Sequence, residues 1–260
     1  MQMLQRIVLA LYLAHLLSDF VFQTSRLVRQ KNDGRMSGYL EHGAVLFASA
    51  VVIAAFFVPH IAVSLRFYFV VLGLTIIHLL IDFCKITLTR VGIIGNGVRS
   101  FLGDQVLHFI TVMLAAALIV RAPLVELRPV LSALRRIDDR MLLLLVVYAG
   151  VIFAGGYLIR FITRPMMSHA RAAESQTQLS NAGMYIGWLE RFLVLTALLL
   201  HSPATVGLII AAKSIARYPE FKDEQFAEYF LIGTLLSISI AIFGGVALQK
   251  VFYGHFTLPG

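Results

Sequence analysis

The sequence predicts an all-α fold, a polytopic transmembrane helical bundle of seven or eight membrane helices, and three observations carry that reading. Hydrophobic residues make up 59% of the 260 and charged ones only 14%, where a soluble domain carries roughly a quarter charged. Several apolar runs reach the ~20 residues that cross a bilayer. Lys and Arg collect in alternate connections, as the positive-inside rule asks of cytoplasmic loops. The net charge of +8 therefore answers to an anionic membrane surface rather than to nucleic acid.

Taken in order, the spans are Met3–Phe22, Tyr39–Val58, Leu65–Cys84, Phe101–Val120, Met141–Phe161, Gly183–Leu200, the short Thr205–Ile215 and Tyr229–Leu248. The first lacks a basic leader and a small-residue cleavage site, so it reads as a retained helix. Arg26, Arg29, Lys31 and Arg35 follow the first span; Lys85, Arg90 and Arg99 follow the third. Arg164 and Arg171 follow the fifth, and Lys213 and Arg217 end the seventh. These connections share one side, which the charge rule makes cytoplasmic, with both termini on the opposite side. The basic segment 121–140 conflicts with that alternation and reads as an interfacial linker between a half at 1–120 and a second helical half at 141–260. The single cysteine, Cys84, excludes an internal disulfide and a thiolate metal site, and reads as a buried, inert thiol.

Within the apolar runs, His and Asp recur four residues apart: His15 with Asp19, His78 with Asp82, and Asp104 with His108. That step rotates about 40° and rises about 6 Å on an α-helix, so each pair shares a face. Once loop charge has oriented the helices, these pairs, with His42 on the second helix, fall at one depth near the cytoplasmic leaflet. Ionisable groups there are costly and mark a functional site by default. Imidazole and carboxylate without thiolate suit a divalent metal, zinc first, manganese or iron next. His15, His42, His78 and His108 are the expected ligands, while Asp19, Asp82 and Asp104 are the expected catalytic acids and bases, or orienters of the rings. Gln23, one further turn along the first helix, and Lys85 at the rim are expected to meet substrate.

The second half adds Glu190 in an apolar helix, Lys213 and Arg217 at i,i+4, and Glu228 opening the last span. They read as substrate-binding groups or as the ion pairs Glu190–Lys213 and Glu228–Arg217. Metal-dependent hydrolysis of a lipid or lipid-linked substrate is the leading expectation. A proton- or divalent-cation-coupled transporter and a non-catalytic scaffold are the rivals. Bis-His haem ligation asks for His at two depths and leaves the aspartates unexplained. Substrate and oligomeric state are not readable here.

The motifs HLLSDFVFQT, HLLIDFCK and DQVLH, with GMYIGWLER, AAKSIAR and EYFLIGTLLS, resemble an uncharacterised bacterial integral-membrane family known as domain of unknown function 3307. The resemblance implies a multi-pass inner-membrane protein and brings no activity with it. More loosely, His and Asp on successive helices look like predicted membrane-bound metal-dependent hydrolases and ceramidase-like zinc hydrolases, a likeness of site type alone.

Overall fold

A computed structural model describes residues 2–121, 140–170 and 182–254. Every regular element among them is helical, and six helices are long and apolar enough to cross a membrane. Contacts divide the chain into two compact units, Met1–Val146 and Val147–Gly260. Apart from its end residues, the expected linker 121–140 lies outside the described residues.

The first unit is built on four long helices: α1 (Gln2–Phe20), α3 (Met36–Phe57), α5 (Leu65–Arg90) and α6 (Val98–Val120), with the short α2 (Ser25–Asn32) and α4 (Pro59–Ala62) between them. α1 packs on α3 and α6, and α5 packs on α3 and α6, which closes a four-membered ring. Short connections make sequential neighbours antiparallel, so the end of α1, the start of α3, the end of α5 and the start of α6 lie at one level. Leu4, Ile7 and Leu11 of α1, Ala50 and Ala54 of α3, Phe67 and Val71 of α5, and Val112 and Ala116 of α6 fill the interior beyond it. The small residues on α3 and α6 let backbones approach closely, which membrane helices exploit because lipid supplies no hydrophobic drive between them. Phe56, Val63 and Phe69 remain exposed, as lipid-facing positions do.

Several expected boundaries shift. α1 stops at Phe20, where the amides of Val21 and Phe22 both turn back to the Leu17 carbonyl. α3 starts three residues before Tyr39, and α5 runs six residues past Cys84 to Arg90. Long basic side chains carry their charge to the interface, so a helix continues past its apolar run. Cys84 is exposed, contrary to the buried thiol expected, because it lies two residues from Asp82 and faces away from the interior.

The division falls within α7 (Arg140–Ala149), which runs through a π turn, Gly150–Ala154, into α8 (Gly155–Ala170) of the second unit. α9 (Ala182–Leu199), α10 (Pro203–Ala216), a 3₁₀ turn at Tyr218–Lys222 and α11 (Glu224–Tyr253) complete it. α9 is the centre, packed on α10, α11 and the π turn.

A candidate metal centre between four helices

The ring of helices delivers seven ionisable side chains to one buried cluster. His42 has no accessible surface, His15, His78 and His108 have 2% or less, and Asp19, Asp82 and Asp104 lie below 10%. The His15 ring centre lies 4.9 Å from that of His108 and 5.4 Å from that of His78, and His78 and His108 are 4.1 Å apart. His42 joins from α3, with its ring centre 5.1 Å from that of His78.

Three atoms in this cluster, from Asp19, His42 and His78, have the spacing of part of a coordination shell. His42 Nε2 and His78 Nε2 are 3.0 Å apart. Asp19 Oδ1 is 3.4 Å from the first and 3.3 Å from the second. Nitrogen and oxygen ligands at 2.0–2.1 Å from a tetrahedral ion stand about 3.3 Å from one another. The three edges of this triangle lie close to that figure, with one nitrogen each from His42 and His78. Asp82 Oδ2 stands further off, 3.6 and 3.9 Å from the same two nitrogens.

The side chains around the shell fix its carboxylates. Ser18 Oγ donates to Asp19 Oδ1 at 2.9 Å. Lys31 Nζ donates to Asp82 Oδ2 at 2.6 Å, and Lys85 Nζ to Asp104 Oδ2 at 2.8 Å. Gln105 reaches both Asp104 Oδ2 (Nε2, 3.2 Å) and His15 Nε2 (Oε1, 3.2 Å). Even so, His15 Nδ1, His42 Nδ1, both ring nitrogens of His108 and Asp104 Oδ1 are buried without a hydrogen-bond partner. Orphaned polar atoms are individually costly in an apolar interior, and their concentration in one pocket fits a site meant to hold an ion. Three groups here can hold a metal: His15, His78 and His108; Asp19, His42 and His78; and Asp82, Asp104 and His108.

The other expected site residues fall elsewhere. Gln23 does not continue the α1 face; it sits in the turn after that helix, half-buried. Lys85 is not only a rim group, since it is bound to Asp104 while 30% of its side chain stays accessible. In the second unit, Lys213 donates to Glu190 at 2.7 Å, the ion pair that the sequence offered as one alternative. Arg217 does not reach Glu228: the 3₁₀ turn brings Glu220 to it at 2.7 and 2.8 Å, and Glu228 is exposed.

One contributor was missed in the sequence. Lys31 reads there as one more loop cation, yet the Thr24 hydroxyl caps α2 and places Leu27 and Lys31 on its buried face. The i,i+4 spacing of those two residues after a capping Thr is the signal that would have found it. In the second unit Arg191, which the sequence sets beside Glu190 inside an apolar helix, is buried. Its guanidinium donates to the Ile152 carbonyl through Nε and Nη2 at 3.1 and 2.8 Å, and to Ser237 Oγ at 3.2 Å. The π turn leaves that carbonyl open to a side chain, and Gly156 leaves room, since a Cβ there would stand 2.6 Å from Nη2.

Fold and site together define a polytopic α-helical membrane protein with a His/Asp cluster able to hold a metal ion. Residues 7–132 match the model of a family described as "Protein of unknown function (DUF3307)", the family that the amino-terminal motifs resemble. No curated protein and no solved structure matches the chain.

Proposed function

We propose that this protein holds a divalent ion, zinc by the chemistry of its donors, in the pocket between α1, α3, α5 and α6, and uses it to hydrolyse a lipid or lipid-linked substrate at the cytoplasmic leaflet. The observation that carries the reading is the close triangle of Asp19 Oδ1, His42 Nε2 and His78 Nε2, 3.0–3.4 Å on its edges, with Asp82 Oδ2 beside it. An ion bound there activates water for attack at neutral pH. Asp104, on the far side of His108, is placed to take a proton from that water, and Lys85 holds its second oxygen. Lys85 and the exposed Arg26 lie on the loop side, where lipid phosphates sit.

One observation favours a second reading, a scaffold in which the polar cluster only fixes helix register. Asp82 and Asp104 each have a lysine partner, so two of the three carboxylates are neutralised without an ion. Asp19 has a serine and three imidazoles around it but no cation. That imbalance supports the metal reading. Elemental analysis of purified wild-type, His42→Ala and His78→Ala proteins tests it. Zinc in the wild type and a loss in both variants is the expected result; equal content in all three overturns it.

A further inference from the structure

We infer that the pocket is built for two metal ions bridged by Asp82, and that its substrate carries a phosphoryl group. The inference rests on the metal reading above and deepens it.

Asp82 divides its two oxygens between two ligand sets. Oδ2 faces His42 and His78 at 3.6 and 3.9 Å, the set completed by Asp19. Oδ1 faces the other way, 3.6 Å from His108 Nε2, and that nitrogen lies 3.5 Å from Asp104 Oδ1. Asp82, Asp104 and His108 thus offer three ligand atoms within 4.8 Å of one another, a triad separate from Asp19, His42 and His78. A carboxylate that gives one oxygen to each of two cations is a common bridge, and such ions lie about 3.5–4 Å apart.

The second position shows its own need for a cation. His108 Nε2 and Asp104 Oδ1 point at each other across 3.5 Å, and both are buried without a hydrogen-bond partner. In the first position His42 and His78 satisfy each other by a 3.0 Å contact in a suitable tautomer. His108 Nε2 instead stands between two carboxylate oxygens at 3.5 and 3.6 Å, with neither close enough for a hydrogen bond. Lys85 occupies the other oxygen of Asp104, which leaves Oδ1 directed inward.

Charge then selects the substrate class. With neutral imidazoles, three aspartates against Lys31 and Lys85 leave one negative charge. One divalent ion turns that to one positive, and two leave three positive charges in a buried pocket. Such an excess of positive charge favours an anion beside it. A phosphate monoester dianion would meet the requirement. In hydrolysis a water oxygen bonds to phosphorus and the bond from phosphorus to the lipid oxygen breaks. The proton lost by the water is released to solvent, and the departing oxygen takes one up from solvent. The products are the lipid alcohol and inorganic phosphate, with no oxidant or other reactant needed.

The test uses the full-length protein in detergent, stripped with chelator and reloaded with Mn²⁺. The wild type is expected to bind two ions per chain and to give an exchange-coupled electron paramagnetic resonance spectrum. His108→Gln and Asp104→Asn, each checked for retained helicity by circular dichroism, are expected to bind one ion and give an uncoupled six-line signal. Inorganic phosphate should alter the coupled spectrum, and phosphatidate in mixed micelles should release phosphate while a neutral diacylglycerol releases no fatty acid. One uncoupled ion in the wild type overturns the second position and leaves the first intact. No bound ion overturns the metal reading itself. Two ions with no response to phosphate, or with hydrolysis of the neutral lipid alone, overturn the substrate class. A response to inorganic phosphate without phosphatidate hydrolysis places the phosphoryl group on a free anion and overturns the lipid source.

Discussion

Replacing Lys31 by methionine separates an ion-holding pocket from a self-sufficient salt bridge. Lys31 Nζ lies 2.6 Å from Asp82 Oδ2, and both side chains are under 10% accessible. Removing one partner of a buried pair leaves an uncompensated charge at a cost of about 3–5 kcal/mol. At roughly 2–4 °C per kcal/mol for a chain of this size, metal-free Lys31→Met should melt about 6–20 °C below the wild type. A bound ion at Asp82 Oδ2 compensates the same carboxylate. With zinc present, therefore, the deficit should shrink to less than half. The difference must reappear as binding energy, so the variant should bind zinc more tightly, by roughly 10–100-fold at 1.4 kcal/mol per tenfold. Thermal melts followed by circular dichroism, with and without zinc, together with a chelator competition, measure both quantities. The same deficit in both melts, with unchanged zinc affinity, would show that Lys31 and Asp82 need no ion and would refute the reasoning.

Other perturbations follow from the same geometry. A Cβ at Gly43 would stand 2.9 Å from Leu79 Cδ1 and 3.3 Å from Thr75 Cγ2, so Gly43→Val should push α3 from α5 and release metal without touching a ligand. Elemental analysis showing wild-type metal content in that variant would count against the helix spacing as the determinant. Asp82→Asn should weaken metal retention at least 10–100-fold, while Glu190→Gln, whose partner is Lys213 in the second unit, should leave it unchanged. Dialysis against graded chelator ranks the two, and equal effects would contradict the assignment. Cys84, exposed near the end of α5, should react with a membrane-impermeant maleimide in inside-out vesicles and not in right-side-out ones. The reverse pattern would invert the topology drawn from loop charge.

The helices were legible because apolar run length is a nearly local property, and a 20-residue run has few other uses. The pocket was legible for a less direct reason. Lys and Arg counts oriented the helices without reference to His or Asp, and that orientation brought His15, His42, His78 and His108 to one level, where the structure also has them. What escaped was any cation whose stem is long enough to turn inward. Lys31 counts as a loop charge in sequence, but its four methylenes carry the ammonium to Asp82. Partner choice among charges on irregular segments escaped as well. Arg217 finds Glu220 rather than Glu228 because a 3₁₀ turn, with no apolar periodicity to announce it, puts the nearer carboxylate in reach. The end of α1 was misjudged by two residues, enough to take Gln23 off the helix face, since each residue turns the direction by about 100°.

Zinc K-edge X-ray absorption on the purified chain addresses the pocket itself. Ligation by Asp19, His42, His78 and Asp82 predicts a first shell of nitrogen and oxygen at about 2.0–2.1 Å, with the outer-shell scattering of imidazole rings, and loss of part of that scattering in His42→Ala. A sulfur shell at about 2.3 Å, which only Cys84 or methionine sulfur provides in this chain, or an imidazole signal unchanged in His42→Ala, would put the metal elsewhere and contradict the account.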